Sequence, residues 1–176
     1  MMPSSPVSYI DAQPTNWRKE VIDDLAERIA DQLHFQPGDN IRDLITRLGG
    51  TVEFQDPIEW LETDSGSIEV RGERDFTVFV SNFTSLARDR FTMAHELGHF
   101  VLHSRCGKIP IRVPRSGSNR LEWEANWFAA GFLMPTKSFR AAWRETPNGA
   151  VMAAKFKVSI KAAEVRKDSL GLTEKG

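Results

Sequence analysis

The stretch RFTMAHELGHFVLH, residues 90–103, sets two histidines four positions apart, with a glutamate after the first, in a run otherwise rich in large apolar residues. Such a run has the composition of a helix buried on most sides. Ionisable groups placed there cost free energy unless something pairs with them, and a metal ion is a partner suited to two imidazoles. At i, i+4 spacing His95 and His99 share one helical face, one turn apart, so both rings can reach a single ion. Glu96 lies beside that face, placed to hold a water rather than the ion. Zinc accepts neutral imidazole nitrogen and lowers the pKa of a bound water to about 7, and an adjacent carboxylate can then act as general base. The pattern points to hydrolysis of a carbonyl compound.

A catalytic zinc site has three protein ligands and an open position. His103 continues the histidine stripe, but eight residues of straight helix put it about 12 Å from His95, and side chains on one helix run parallel rather than converging. It reads better as a local hydrogen-bonding group. The downstream stretch LEWEANWFAA, residues 121–130, offers Glu122 and Asn126, four apart on one face. A carboxylate there completes a His, His, Glu set, and the amide one turn on can orient an imidazole by accepting its N–H. Glu124 competes, although it points about 160° away from Asn126 around the helix. Glu122 is favoured and Glu124 stays open; Asn119 and Glu122 also have the spacing of a capping box.

Working outward, Trp17, Val21, Ile22, Leu25, Ile29 and Leu33 recur at helical spacing between Thr15 and Leu33. Asp39 or Asn40 can cap a second helix carrying Ile41, Leu44, Ile45 and Leu48, ended by Gly49-Gly50. TVEF, SIEV and above all FTVFVS (76–81) read as short strands. The segment SRCGKIPIRVPRSGSN (104–119) reads as a loop, followed by a helix whose stripe is Leu121, Ala125, Phe128, Ala129, Phe132 and Leu133, stopped by Pro135. After it, two short helices flank FKVS, with Val151, Phe156, Val158, Ala162 and Val165 available for packing. Helices, a few strands, then helices again predict an α+β fold with a small sheet.

The chain has 176 residues, 40% of them hydrophobic, enough for one sizeable core. A formal net charge of −1 gives no global case for nucleic-acid or membrane-surface binding. Cys106 is the single cysteine, which excludes an internal disulfide and suits a reducing compartment. The start, MMPSSPVSYIDAQP, has neither a basic lead nor an apolar run, so a cytoplasmic protein is expected. The expected division is a flexible tail over 1–14, a catalytic domain over 15–146, and a helical, helix-turn-helix-like segment over 147–176 packed on that domain. Direct DNA contact by this last segment is the lesser expectation, because its small excess of Lys and Arg suits any solvated surface.

RFTMAHELGHFVLH followed by EWEANWFAAGFLMP resembles the ImmA/IrrE family of bacterial and phage zinc metallopeptidases, over roughly Phe76 to Pro135. The resemblance implies a zincin-like fold with a buried HExxH helix and a second ligand-bearing helix. It implies zinc held by His95, His99 and Glu122, Glu96 as the catalytic glutamate, and Asn126 behind the ligands. The E-x-x-A-N pattern favours Glu122 over Glu124. It further implies a protein substrate, a helix-turn-helix repressor or antitoxin-type regulator encoded nearby, in stress responses or toxin-antitoxin pairs. AAGF, where the family commonly has acidic or polar residues, is a departure outside the metal site. The alternative is a metal-stabilised module that controls a partner repressor or DNA by docking, without turnover.

For the substrate, FTVFVS is expected to form the cleft edge and take an extended peptide as an added strand. Arg105, Lys108, Arg112, Arg115 and Arg120, in a segment without acids, are expected to select acidic residues near the cut. Trp60, Trp123, Trp127 and Trp143 read as core or rim packing. No oxyanion donor stands out: the only tyrosine, Tyr9, falls in the tail, leaving the metal, His103, a loop arginine or a backbone N–H.

Overall fold

The computed structural model describes residues 6–56, 58, 67–82, 84–114 and 119–174. Helix α1 (Lys19–Gln32) buries Ile22, Ala26 and Ala30, with Leu25, Ile29 and Leu33 partly covered at its sides. It starts four residues later than its periodicity suggests. Asn16 takes a left-handed φ of 58°, and the N–H groups of Thr15 and Asn16 go to the Glu124 carboxylate instead of a helix. Trp17 and Val21 are left exposed. Asn40, not Asp39, caps α2 (Ile41–Arg47), accepting from the N–H of Arg42 at 3.0 Å; Asp39 closes the preceding turn by accepting from Gln36 N–H.

The sheet has four strands, β1 (Gly50–Gln55), β2 (Ile68–Gly72), β3 (Asp75–Ser81) and β4 (Ile111–Val113), in the order β1-β3-β2-β4. β1 runs parallel to β3, and β2 pairs antiparallel with both β3 and β4. FTVFVS is therefore an interior strand. Its near-continuous apolar run is what a strand covered on both faces requires, and both its edges are already paired, so no peptide can add to it. β4 emerges from the segment read as a loop. Ile111 and Val113 are fully buried while Arg112 points out, and three residues are too few for alternation to stand out among glycines and prolines.

The described part of the segment expected to be a flexible tail is tied to the sheet at Ile10. Ile10 forms a parallel bridge with Ile111, donates its N–H to the Pro110 carbonyl at 2.8 Å, and so covers part of the outer edge of β4. Tyr9 lies under the Arg112 guanidinium, 4.5 Å from its ring centre.

Ser85 caps α3 (Leu86–Gly98), which buries Met93, Ala94 and Leu97, while Leu86 at the first turn is 89% exposed. The chain continues without a break into a π-helical turn, His99–His103, marked by the Ser104 N–H reaching the His99 carbonyl at 3.0 Å. Phe100 on this turn stacks on Phe76 of β3, ring centres 4.2 Å apart, and locks the turn to the sheet. Asn119 caps α4 (Arg120–Leu133), and the whole stripe expected for that helix is buried. α4 lies between α1 and α3. Gly98 makes the second contact possible: a Cβ there would stand 3.2 Å from the Ala125 backbone. Gly131, in the divergent AAGF, does the same for α1, where a Cβ would meet the side chain and backbone of Asp23.

Three helices close the chain: α5 (Thr136–Glu145), α6 (Gly149–Phe156) and α7 (Ile160–Ser169). Phe156 and Val158 pack inward as expected; Val151 and Val165 do not, and Ala163 and Arg166 form the inner face of α7 instead. The buried Arg166 donates to both Asp23 carboxylate oxygens at 2.9 Å, to the Met134 carbonyl at 2.9 Å and to Thr136 Oγ1 at 3.2 Å, with Glu27 3.4 Å away. Among the described residues no helix is long and apolar enough to cross a membrane.

Candidate metal centre

Close packing of α3 on α4 brings three side chains to one point. His95 Nε2 lies 3.1 Å from His99 Nε2 and 3.1 Å from Glu122 Oε2, and Glu122 Oε1 is 3.3 Å from His99 Nε2. Each residue offers one ligand atom, all within 4.8 Å of one another, so this group can hold a metal ion. Asn119 caps α4 through the Glu122 N–H while the Glu122 side chain faces the histidines, so the cap and the ligand position coexist.

The remaining imidazole nitrogens determine which way the rings are protonated. His95 Nδ1 is 2.8 Å from Asn126 Oδ1, an oxygen that can only accept, so Nδ1 carries the proton and Nε2 keeps its lone pair. His99 Nδ1 is 2.9 Å from His103 Nδ1, and His103 Nε2 is 3.1 Å from Glu124 Oε2. The carboxylate requires a proton on His103 Nε2. Neutral His103 then accepts at Nδ1 from His99, which again leaves Nε2 free.

The two residues that competed for the third ligand position, His103 and Glu124, therefore stand elsewhere. His103 does not converge on the ligand point, because the π turn swings it behind His99 rather than along the His95–His99 line. Glu124 lies on the far side of α4, fully buried, where it accepts from His103, Arg120, the Thr15 hydroxyl and N–H, and the Asn16 N–H.

Burial and charge explain the proton affinities. Burial pushes His99 down to about 4, against the pull of Glu122, so it stays neutral. Burial likewise lowers His103 despite Glu124. For His95 the burial penalty is outweighed by Glu122, Glu96 and Asn126, and its pKa rises. Burial works against ionised Glu122 as well, but the adjoining His95 and His99 rings hold it well below the carboxylate range. Glu96 is the exception. Burial raises it to about 7, with His95 and a hydrogen bond from Ser67 only partly opposing. Its Oε2 is buried and has no hydrogen-bond partner among the described residues.

Sequence reasoning does not single out Ser67. It precedes β2, donates its N–H to the Val113 carbonyl and accepts from Phe79 N–H, so the end of the sheet fixes it beside Glu96. A serine ahead of a short strand carries no signal of this.

Other expected contributors fare differently. Arg112 is paired with Glu69 at 2.9 Å and Arg120 with Glu124 at 3.0 Å, while Arg105 and Lys108 are exposed and Arg115 lies outside the described residues. Acids from elsewhere in the fold thus offset part of the basic segment. Trp143 is in the core, Trp127 is half-buried, Trp123 is half exposed beside Glu122, and Trp60 lies outside the described residues.

The sequence profile of a peptidase family, described as the IrrE N-terminal-like domain, matches residues 58–167. The chain belongs to that family. Its IrrE N-terminal-like domain thus spans the sheet from β2, the two helices that bring His95, His99 and Glu122 together, and most of α7. Among solved structures, a Mycobacterium tuberculosis transcriptional regulator superposes with a TM-score of 0.54 at 18% identity, over 82% of this chain and 45% of that one. This likeness concerns the fold, and the chain spans less than half of the regulator's length. No curated protein gives a significant match.

Proposed function

We propose that the protein is a zinc-dependent endopeptidase. The observation that carries this reading is Glu96 Oε2, a buried carboxylate oxygen without a partner among the described residues, next to three converging ligand atoms. A site that merely stapled the fold would have no use for it. The ligand set fits zinc: two imidazole nitrogens and a carboxylate are a common catalytic combination, and bonds of about 2.0–2.1 Å in a tetrahedron put ligand atoms about 3.3 Å apart, close to the separations seen. When bound, zinc supplies an electrophile that polarises a carbonyl and acidifies water.

The chain's own residues supply the rest. His95, His99 and Glu122 hold the ion; Asn126 and His103 fix the two imidazoles by taking their Nδ1 protons in hydrogen bonds. Glu96 accepts a proton from the attacking water and returns it to the leaving amine, with Ser67 holding the carboxyl in position. Burial favours this role, because it raises the basicity of Glu96. Residues 15–146 form the catalytic unit and 147–176 a helical segment that steadies it. The substrate is a cytoplasmic helix-turn-helix regulator or antitoxin-type protein. The family likeness of the two motifs supports this, as does a fold neighbour that is itself a transcriptional regulator. Turnover is preferred to docking alone because docking leaves the Glu96 oxygen unexplained.

The test is metal analysis together with proteolysis. Wild-type protein should bind about one zinc per chain and cleave the regulator encoded beside it in a chelator-sensitive manner, as a three-ligand catalytic site requires; His95→Ala, His99→Ala and Glu122→Ala should each lose the metal. Zinc retained in Glu122→Ala and lost in Glu124→Ala would overturn the ligand assignment.

A further inference from the structure

A groove of about 780 Å³ runs along α4 away from Asn126, between α3 and α7, within the size range of ligand sites. Its walls are apolar: Phe91, Trp127, Ala130, Met134, Ala162 and Val165. It opens beside the metal centre, since Asn126, which holds His95, and Thr92, one turn before His95, both line it. Val165 is 59% exposed on its rim, an apolar side chain on a helix whose inner face is formed by other residues.

The charges on this groove have one sign. Arg88 and Lys161 stand exposed on opposite walls, with no side-chain partner among the described residues. Lys19 closes one end by donating to Ser169 Oγ, a neutral hydroxyl. The Arg166 charge is matched by Asp23 and Glu27, and no acidic residue lines the groove among those described. Four acids of α1, Glu20, Asp23, Asp24 and Glu27, line a different hollow that meets this one only at Lys19 and Ser169. The Lys19–Ser169 contact therefore separates an acidic surface from a basic, apolar-walled one.

We propose that this groove binds a segment of the substrate protein that carries apolar residues flanked by Asp or Glu, with the apolar side chains against Trp127 and Val165 and the acids meeting Arg88 and Lys161. The inference rests on the endopeptidase reading and names the substrate feature the enzyme selects. A peptide fits better than a nucleic acid, because the walls are apolar and the free cations few, whereas nucleic-acid surfaces are polar and densely basic. It also moves acid selection away from the 105–120 segment, where Arg112 and Arg120 already have carboxylate partners.

The test uses the full chain as Glu96→Gln, so that probes are not consumed, and three fluorescent probes: a Leu-rich decapeptide flanked by Glu, the same peptide flanked by Lys, and a short DNA duplex. The Glu-flanked peptide should bind tightest by anisotropy. Arg88→Glu with Lys161→Glu should reverse the peptide preference, each probe changing by on the order of tenfold, as expected for paired exposed charges. Both residues are exposed, and unchanged thermal unfolding establishes that the variant is folded; if it is not, Arg88→Gln with Lys161→Gln should erase the preference instead. Val165→Ser, which removes the apolar side chain and leaves the charges intact, should weaken the Glu-flanked peptide. Equal peptide binding in all variants, or a wild-type preference for DNA over both peptides, overturns the proposal. Zinc content and casein hydrolysis by the wild type are measured separately. Their absence, with the charge preference present, would remove the endopeptidase reading and leave the groove; hydrolysis with no charge preference would do the reverse.

Discussion

Two clusters of buried charge hold this fold together, and they are built to opposite specifications. Around Arg166 the guanidinium is surrounded by Asp23, Glu27, Thr136 and the Met134 carbonyl, acceptors that leave none of its side-chain nitrogens unsatisfied. Around His95 and His99 the outer atoms are equally well paired, His95 Nδ1 with Asn126 and His99 Nδ1 with His103, which reaches Glu124 and its partners. The inner atoms are not: two imidazole lone pairs and one carboxylate face each other, and Glu96 Oε2 meets no donor among the described residues. A closed cluster has no capacity left for a ligand and acts on stability. An open one keeps donors and acceptors directed at a point, and its unmet demand locates the chemistry.

The sharpest way to test this contrast is Glu96→Gln, which preserves shape and removes the ionisable carboxyl. Hydrolysis should fall by about 10²–10⁴-fold with zinc content unchanged. In the metal-free protein the same variant should be more stable than wild type at alkaline pH. The sign follows from the raised pKa: a carboxyl whose folded value is about 7, against 4.5 unfolded, favours folding while protonated, and that contribution is lost as pH rises from 4.5 through 7. Above pH 8 the glutamine should therefore gain roughly 2–3 kcal/mol, and near pH 4 nothing. Chemical denaturation of chelated protein at both pH values reads the difference. Equal stability at pH 8 would mean that Glu96 Oε2 is satisfied, and the distinction between open and closed clusters would fail.

The closed cluster should respond in the other way. Arg166→Met removes the cation and leaves Asp23 without its partner, while Glu27 keeps the Thr136 N–H and hydroxyl, a change that costs about 3 kcal/mol given the partial exposure of both carboxylates. Thermal unfolding should shift down, while zinc stoichiometry in the folded protein stays the same. Lost zinc with retained stability would mark Arg166 as part of the metal centre.

The two clusters are not equally legible in the sequence. HELGH sets two imidazoles on one helical face with Glu96 beside it, and the E-x-x-A-N pattern, through the family resemblance, favours Glu122 with Asn126; the structure brings His95, His99, Glu122 and Asn126 together with Glu96 alongside. Arg166 pairs across 143 positions with Asp23, and nothing in the local pattern of α7 announces it. Ser67 and β4 escape for the same reason, since their meaning comes from pairing partners far along the chain. The helix stripes of α2 and α4 are readable because burial of one face is a local, periodic demand. The interior position of β3 is not, since an apolar strand reads alike from sequence whether its edges are paired or free.

His103 is the residue on which the two specifications meet, because it touches a ligand on one side and a fully satisfied carboxylate on the other. If it belongs to the open cluster, its task is to hold the His99 ring by accepting from Nδ1, which fixes the tautomer and raises the basicity of Nε2. His103→Phe keeps an aromatic ring in the same buried space and deletes that acceptor. Glu124 retains Arg120, Thr15 and Asn16 as donors, so it is not left unpaired. Zinc affinity measured by chelator competition should then fall by about 10-fold to 100-fold, with a smaller change in the unfolding of the metal-free chain. A variant that loses stability and keeps its zinc affinity would assign His103 to the closed kind, and His99 would be held by the packing of its π turn against Phe76 alone.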